Sequence, residues 1–222
     1  MKKTSNILIV MSVCAGAAFW APLRAHSQQG HFYLKGDLGG NWTLDTELKE
    51  YLDEPVRPGS KVRFHPGVRF GVGGGYYVTD WFSTEFETGV MANDINTITD
   101  ATRVDATFSN VPFLVNARFQ CPRFDLLNPY FGGGVGGAVS VLDVDRIDRA
   151  GFRDSGTVSD GVFAYQAFAG LRYRINDNMG VSLEYHYFAT SSPSLEPDFA
   201  PGRILLGGAS THSVSVSFDF RF

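Results

Sequence analysis

From His212 to the terminal Phe222 the chain alternates without interruption. Val214, Val216, Phe218, Phe220 and Phe222 fall on one side, Ser213, Ser215, Ser217, Asp219 and Arg221 on the other. Successive side chains of a strand point to opposite faces, so this segment is a strand with one apolar face and one polar face. Apolar residues on every other position up to the carboxylate, three of the last five residues being phenylalanines, make a poor ending for a chain folding in water. The pattern suits the closing strand of a sheet that curls into a barrel in lipid, with its outward face against hydrocarbon and its inward face polar.

The other end points to export. Met1-Lys2-Lys3 is a positive start, Ile7 to Ala18 an apolar stretch, and Ala25-His26-Ser27 a small-x-small cleavage pattern. Residues 1–27 are therefore expected to be a cleaved signal peptide and residues 28–222 the mature domain, beginning at Gln28. Cys14 lacks the small residue that a lipoprotein signal wants before it, because Val13 stands there. Loss of the leader leaves Cys121 as the single cysteine, which excludes an internal disulfide. Three of the 19 basic residues go with the leader, so the mature chain sets 16 against 23 acidic residues, a charge of −7. Such a chain is a poor nucleic-acid binder.

No later run approaches the roughly 20 apolar residues of a spanning helix, so a membrane crossing has to use strands of about 9–11 residues with half their positions polar. Eight segments carry this alternation: His31 to Trp42, Arg63 to Val78, Trp81 to Met91, Val104 to Phe119, Tyr130 to Val141, Val162 to Ile175, Met179 to Tyr187 and the C-terminal segment. In the fourth the apolar parity changes near Ser109-Asn110, which predicts a β-bulge. Thr79-Asp80, Gln120 to Pro129 and Asn176 to Asn178 form a shorter set of connections. Thr43 to Val62, Ala92 to Arg103, Leu142 to Gly161 and Phe188 to Leu206 form a longer set. Short turns at one rim and long loops at the other predict an all-β fold, an eight-stranded antiparallel up-and-down transmembrane β-barrel. A lipocalin-like barrel has as many strands but points its apolar face inward, whereas here the face carrying glycines and charges of both signs reads as the interior.

The Asn110-Val-Pro-Phe-Leu-Val-Asn-Ala-Arg-Phe119, Asn128-Pro-Tyr-Phe-Gly-Gly-Gly-Val-Gly-Gly137 and Tyr165-Gln-Ala-Phe-Ala-Gly-Leu-Arg-Tyr-Arg174 segments, with the terminal Phe, resemble the OmpA/OmpX and Opacity-type outer-membrane barrel domain. The resemblance spans the mature chain and lacks the peptidoglycan-binding domain of full OmpA-type proteins. It implies residence in the cell outer membrane among lipid and lipopolysaccharide. It also implies handling by a barrel-assembly machinery that reads Phe218, Phe220 and Phe222 as a C-terminal signal.

An eight-stranded barrel is just wide enough for side chains to fill. Lys35, Asp37, Arg69, Glu85, Glu87, Arg118, Arg172, Arg174, Glu184, Asp219 and Arg221 fall on the inferred inner face and have to pair there. Gly71, Gly73, Gly75, Gly132, Gly134 and Gly136 leave room for the long arms. Glu184 and Arg172, about one diagonal step apart across the Asp177 hairpin, are expected to meet. Trp42, Tyr76, Trp81, Tyr130, Tyr173 and Tyr187 lie near strand ends, where amphipathic rings settle at lipid headgroups.

Leu44, Leu48 and Leu52 recur every four residues and predict a short amphipathic helix on the rim. Asp143, Asp145 and Asp148 lack EF-hand spacing and read as a solvated acidic loop. A lipid A deacylase would need a His and Ser at the lipid-facing rim. His212 with Ser213 or Ser210 is the candidate, without the characteristic His-x-Ser-Asn arrangement. The reading is a monomeric barrel with no cofactor, no metal and no enzyme activity, holding a structural and surface-interaction role, adhesin- or antigen-like, through long acidic loops that meet an extracellular ligand. A narrow ion or small-solute channel and a lipid A-modifying enzyme are the alternatives.

Overall fold

The computed structural model describes residues 29–51, 54–99, 103–121, 126–149, 152–196 and 202–222, so the expected signal peptide lies outside the described residues. Every regular element among them is a strand. In chain order these are β1 (Phe32–Thr43), β2 (Thr46–Tyr51), β3 (Glu54–Pro55), β4 (Lys61–Phe64), β5 (Gly67–Tyr77), β6 (Phe82–Ile98), β7 (Arg103–Gln120), β8 (Leu127–Arg149), β9 (Phe152–Arg174), β10 (Met179–Thr190), β11 (Ser194–Leu195), β12 (Ile204–Leu206) and β13 (Ser210–Arg221).

Eight of them close a barrel. β1 pairs β5, and antiparallel neighbours follow through β6, β7, β8, β9, β10 and β13 back to β1, where Tyr33 faces Arg221 and Thr43 faces Thr211. Closure leaves no edge in lipid, as a membrane sheet requires. The short connections sit together at one rim. There Val78 and Thr79 donate backbone N–H groups to the Phe82 carbonyl, and the Asn176 side chain accepts from Asn178 and Met179.

At the other rim the long connections are mostly strand. β8 and β9 run 23 residues each, about twice what a membrane crossing needs, so the stretch read as a loop from Leu142 to Gly161 is the upper part of a hairpin. Asp143, Asp145 and Asp148 sit on β8 in this hairpin, and Asp143 accepts from the Thr157 hydroxyl at 2.7 Å.

The segment expected to be a rim helix is β2. Its burial follows period two, with Thr46 and Leu48 inward and Leu44 exposed before it. Neighbouring backbone makes the strand: Leu48 N–H reaches the Ser60 carbonyl at 2.9 Å, and the Glu47 carbonyl accepts from Gly207 at 2.7 Å. Leu52 lies outside the described residues. β2 joins β4, which continues onto β6, and β12, which carries β11. The first and last long connections thus fold together into a cap sheet at the rim of the long connections.

The bulge expected at Ser109-Asn110 is absent, and the β6–β7 register runs through Ser109 and Asn110 unbroken. The irregularity lies instead at Asp105/Ala106. From Ala106 to Gln120 the even-numbered residues of β7 point inward, including the buried Phe108 and Leu114. Parity only looked reversed because the interior changes from polar to apolar at that height.

Candidate functional site: a filled barrel beneath a β cap

The lower half of the interior is an ion-pair network. Five basic side chains (Lys35, Arg69, Arg118, Arg172, Arg221) and five carboxylates (Asp37, Glu85, Glu87, Glu184, Asp219) are buried among the described residues, so the charge inside balances. Each projects from an inward position of a strand whose outward neighbours are apolar, which is why alternation alone places them. Lys35 on β1 bridges Glu184 at 2.8 Å and Glu85 at 3.7 Å. Arg69 on β5 donates from Nε to Asp37 at 2.8 Å and from Nη2 to Glu87.

Glu184 is the hub. Besides Lys35 it accepts from the Tyr130 hydroxyl at 2.5 Å, the Ser217 hydroxyl at 2.6 Å and His186 Nε2 at 2.9 Å. Glu87 also accepts from Asn116 and Gln166, each at 2.8 Å. Satisfying the remaining lone pairs in this way makes a buried charge tolerable.

The pairing differs from the expectation in one respect. Arg172 does not meet Glu184. It grips Asp219 on β13, with Nε to Oδ1 at 2.8 Å and Nη2 to Oδ2 at 2.6 Å. The ladder sets Arg172 beside Ser182 and Glu184 beside Gly170, and the space next to Gly180 admits the guanidinium toward β13. A Cβ on Gly180 would fall 2.5 Å from Arg172 Nε and Nη2. Arg221 closes the short-turn end by donating to the Asp177 carbonyl, and Arg174 is half-buried there.

Arg118 is held differently. Its guanidinium lies 3.8 Å from the centre of the Tyr130 ring, and its Nε and Nη2 are buried without a hydrogen-bond partner. An aromatic face attracts a cation by its quadrupole and takes the place of a carboxylate. This puts Tyr130, 3% exposed, inside the barrel and not at the lipid interface where strand-end reasoning placed it. It occupies an even position of β8, whose even positions up to Val144 face inward, so the register carried the signal. Trp42, Tyr76, Trp81 and Tyr173 are exposed on the outer wall, and Tyr187 is partly exposed there. Phe218, Phe220 and Phe222 project outward as well.

Above the charges the filling becomes apolar. Met91, Leu114, Ala138, Val162, Ala164 and Phe188 form one buried layer. Higher still, Ile95, Phe108, Leu142 and Val158 of the protruding strands meet Leu48, Val62, Leu195, Ile204 and Leu206 of the cap. Sequence reasoning missed these two layers because an inward apolar residue breaks the contrast that identifies the inside. Exposed polar contacts tie the two halves of the cap, with Arg203 to Glu50 at 3.0 Å and Lys49 to Ser192 at 3.4 Å.

The hydrolase candidates are not assembled as a pair. His212 and Ser213 are neighbours on one strand and face opposite sides of the wall. His212 Nδ1 lies 2.6 Å from the Tyr185 hydroxyl, Ser210 is 3.3 Å from the Tyr187 hydroxyl, and Ser213 is buried inside the barrel.

A closed eight-stranded antiparallel barrel with an apolar outer wall, a charge-balanced interior and unequal rims is an outer-membrane barrel. Residues 8–222 match the family model described as the outer membrane protein beta-barrel domain, and the chain belongs to that family. Among solved structures, the outer membrane protein OprG from Pseudomonas aeruginosa superimposes with a TM-score of 0.59 at 15% identity, covering 90% of this chain and 99% of that one. Outer membrane protein AlkL in lipid bilayers gives 0.54 at 17% identity, covering 91% and 95%. Neisserial surface protein A gives 0.54 at 11% identity, covering 86% and 97%. At such identities the likeness extends to the fold. No curated protein matches the sequence.

Proposed function

We propose that this chain is a non-conducting, non-enzymatic outer-membrane barrel that acts as a single copy through its extracellular face, in an adhesin- or antigen-like role. The observation that supports this reading is the division of the molecule into a filled support and a folded cap. A channel needs a lumen, whereas here Lys35 reaches past β13 to Glu184 and Gln166 reaches across from β9 to Glu87 on β6, with an apolar layer above them. An enzyme needs converging reactive groups, and His212 is engaged by a tyrosine instead of a serine.

The part of the fold beyond membrane crossing is spent on the cap sheet and the projecting β8–β9 hairpin. Rigid strands hold a binding surface at lower entropic cost than free loops do. The acidic balance of the mature chain favours neutral or cationic partners.

The test compares cells displaying the parent with cells whose residues 194–206 are replaced by a short turn, scoring retention on immobilised matrix protein, polysaccharide and other cells. Loss of retention in the trimmed variant, at equal amounts of folded barrel, is expected. Equal retention on every surface would overturn the reading.

A further inference from the structure

The wall that faces lipid is unevenly filled. On its outward face the register aligns Leu34 of β1, Gly74 of β5 and Phe86 of β6 in one row, and Phe32, Tyr76 and Thr84 in the next row toward the periplasm. Gly74 projects nothing and Thr84 little, and the two are diagonal neighbours on adjacent strands. The gap between them is a groove of about 380 Å³, walled by Leu34, Tyr76, Phe86 and Phe222 and floored by Gly74 and Thr84. Phe222 N–H donates to the Phe32 carbonyl at 3.0 Å, so the groove lies at the periplasmic end of the barrel. Glu85 borders the floor but turns its carboxylate inward to Tyr33 and Lys35, away from the open side.

Gly74 is not required by the backbone. It is not among the glycines with positive φ, and a Cβ there would meet only Leu34 Cδ2 at 3.4 Å and the Tyr33 carbonyl at 3.7 Å. A side chain is sterically admissible, and its absence is what keeps the groove open. We propose that the groove binds one acyl chain of a phospholipid in the periplasmic leaflet of the outer membrane. The inference rests on the family's membrane placement and is independent of the role proposed for the cap.

The groove is continuous with the hydrocarbon-facing wall, so acyl chains are what its open side meets. A gap left unfilled would forfeit the dispersion contacts of its lining. A chain lying along the diagonal from Gly74 to Thr84, between Phe86 on one side and Leu34 and Tyr76 on the other, restores those contacts.

Gly74→Leu fills the groove from its floor. Gly137→Leu adds the same side chain at an outward glycine of β8, whose Cβ would meet only the Val162 carbonyl at 3.6 Å. The full chain and both variants are folded into bilayers of palmitoyl-oleoyl phosphatidylethanolamine and phosphatidylglycerol, extracted in mild detergent and weighed by native mass spectrometry. The parent and Gly137→Leu are expected to retain one phospholipid that Gly74→Leu loses, with unchanged urea midpoints. Should Gly74→Leu fold poorly, Thr84→Leu fills the same groove from β6 and is expected to show the same loss. Equal retention in all the variants, no retained lipid in the parent, or a parent dimer that Gly74→Leu dissolves would overturn the proposal, the last outcome assigning the groove to a second copy.

Discussion

Asp219→Asn removes the carboxylate from the most completely bonded ion pair in the barrel and leaves its cation behind. Arg172 is 2% exposed and directs Nε and Nη2 at Asp219 over 2.8 and 2.6 Å. Breaking a buried pair from one side costs about 3–5 kcal/mol, because the surviving charge keeps its desolvation penalty without the compensating attraction. Arg172→Gln should cost a similar amount. The double variant should fall short of the sum by about 1–3 kcal/mol, the coupling of two groups in contact.

A second cycle sharpens the first. Arg172 and Glu184 lie on neighbouring strands with separate partners, so Arg172→Gln combined with Glu184→Gln should stay near additivity, while Glu184→Gln with Lys35→Met should not. Urea titration of barrels folded in identical bilayers, followed by the fluorescence of Trp42 and Trp81, measures all of these. Strong coupling between Arg172 and Glu184 with additivity between Arg172 and Asp219 would refute the pairing. Additivity in every cycle would mean that water solvates these charges and that the interior is a pore lining.

Gly180→Ala drives a methyl into the Arg172 guanidinium and should lose about 1–3 kcal/mol by overpacking, with most of that loss absent in an Arg172→Gln background. Phe188→Ala empties the centre of the apolar layer, where Phe188 is fully buried, and should lower the unfolding free energy by about 3–5 kcal/mol without lowering the amount inserted. If Phe222 ends the strand that the assembly machinery reads, its deletion should reduce the yield of protease-resistant barrel in cells more than deletion of Ser191 and Ser192, and equal yields would remove that role.

Alternation was enough to place the crossings. In β1, β10 and β13 the inward residues are polar and the outward ones apolar at almost every step, so the strands, their facing and their buried charges are all legible in the chain. Partnership was not legible, because it depends on which strand offers space. Arg172 turns to Asp219 across β10 because Gly180 has no side chain, a relation between three strands that no single periodicity encodes. Tyr130 misled for a related reason: its place near a strand end fits a lipid belt, but its parity sends it inward to Arg118. Above the charged layer Phe108, Leu142 and Val158 are apolar on the inner face as well. The two faces stop differing there, which hid the upper strands and turned β2 into an apparent helix.

The central claim is that side chains fill the barrel from its periplasmic end to the cap. Single-channel recording of the folded full chain in planar bilayers tests it most directly. The filled interior predicts no steady current above the bare membrane, with Lys35→Met and Asp219→Asn destabilising the barrel before any conductance appears. A steady current through the parent that scales with salt concentration would contradict it.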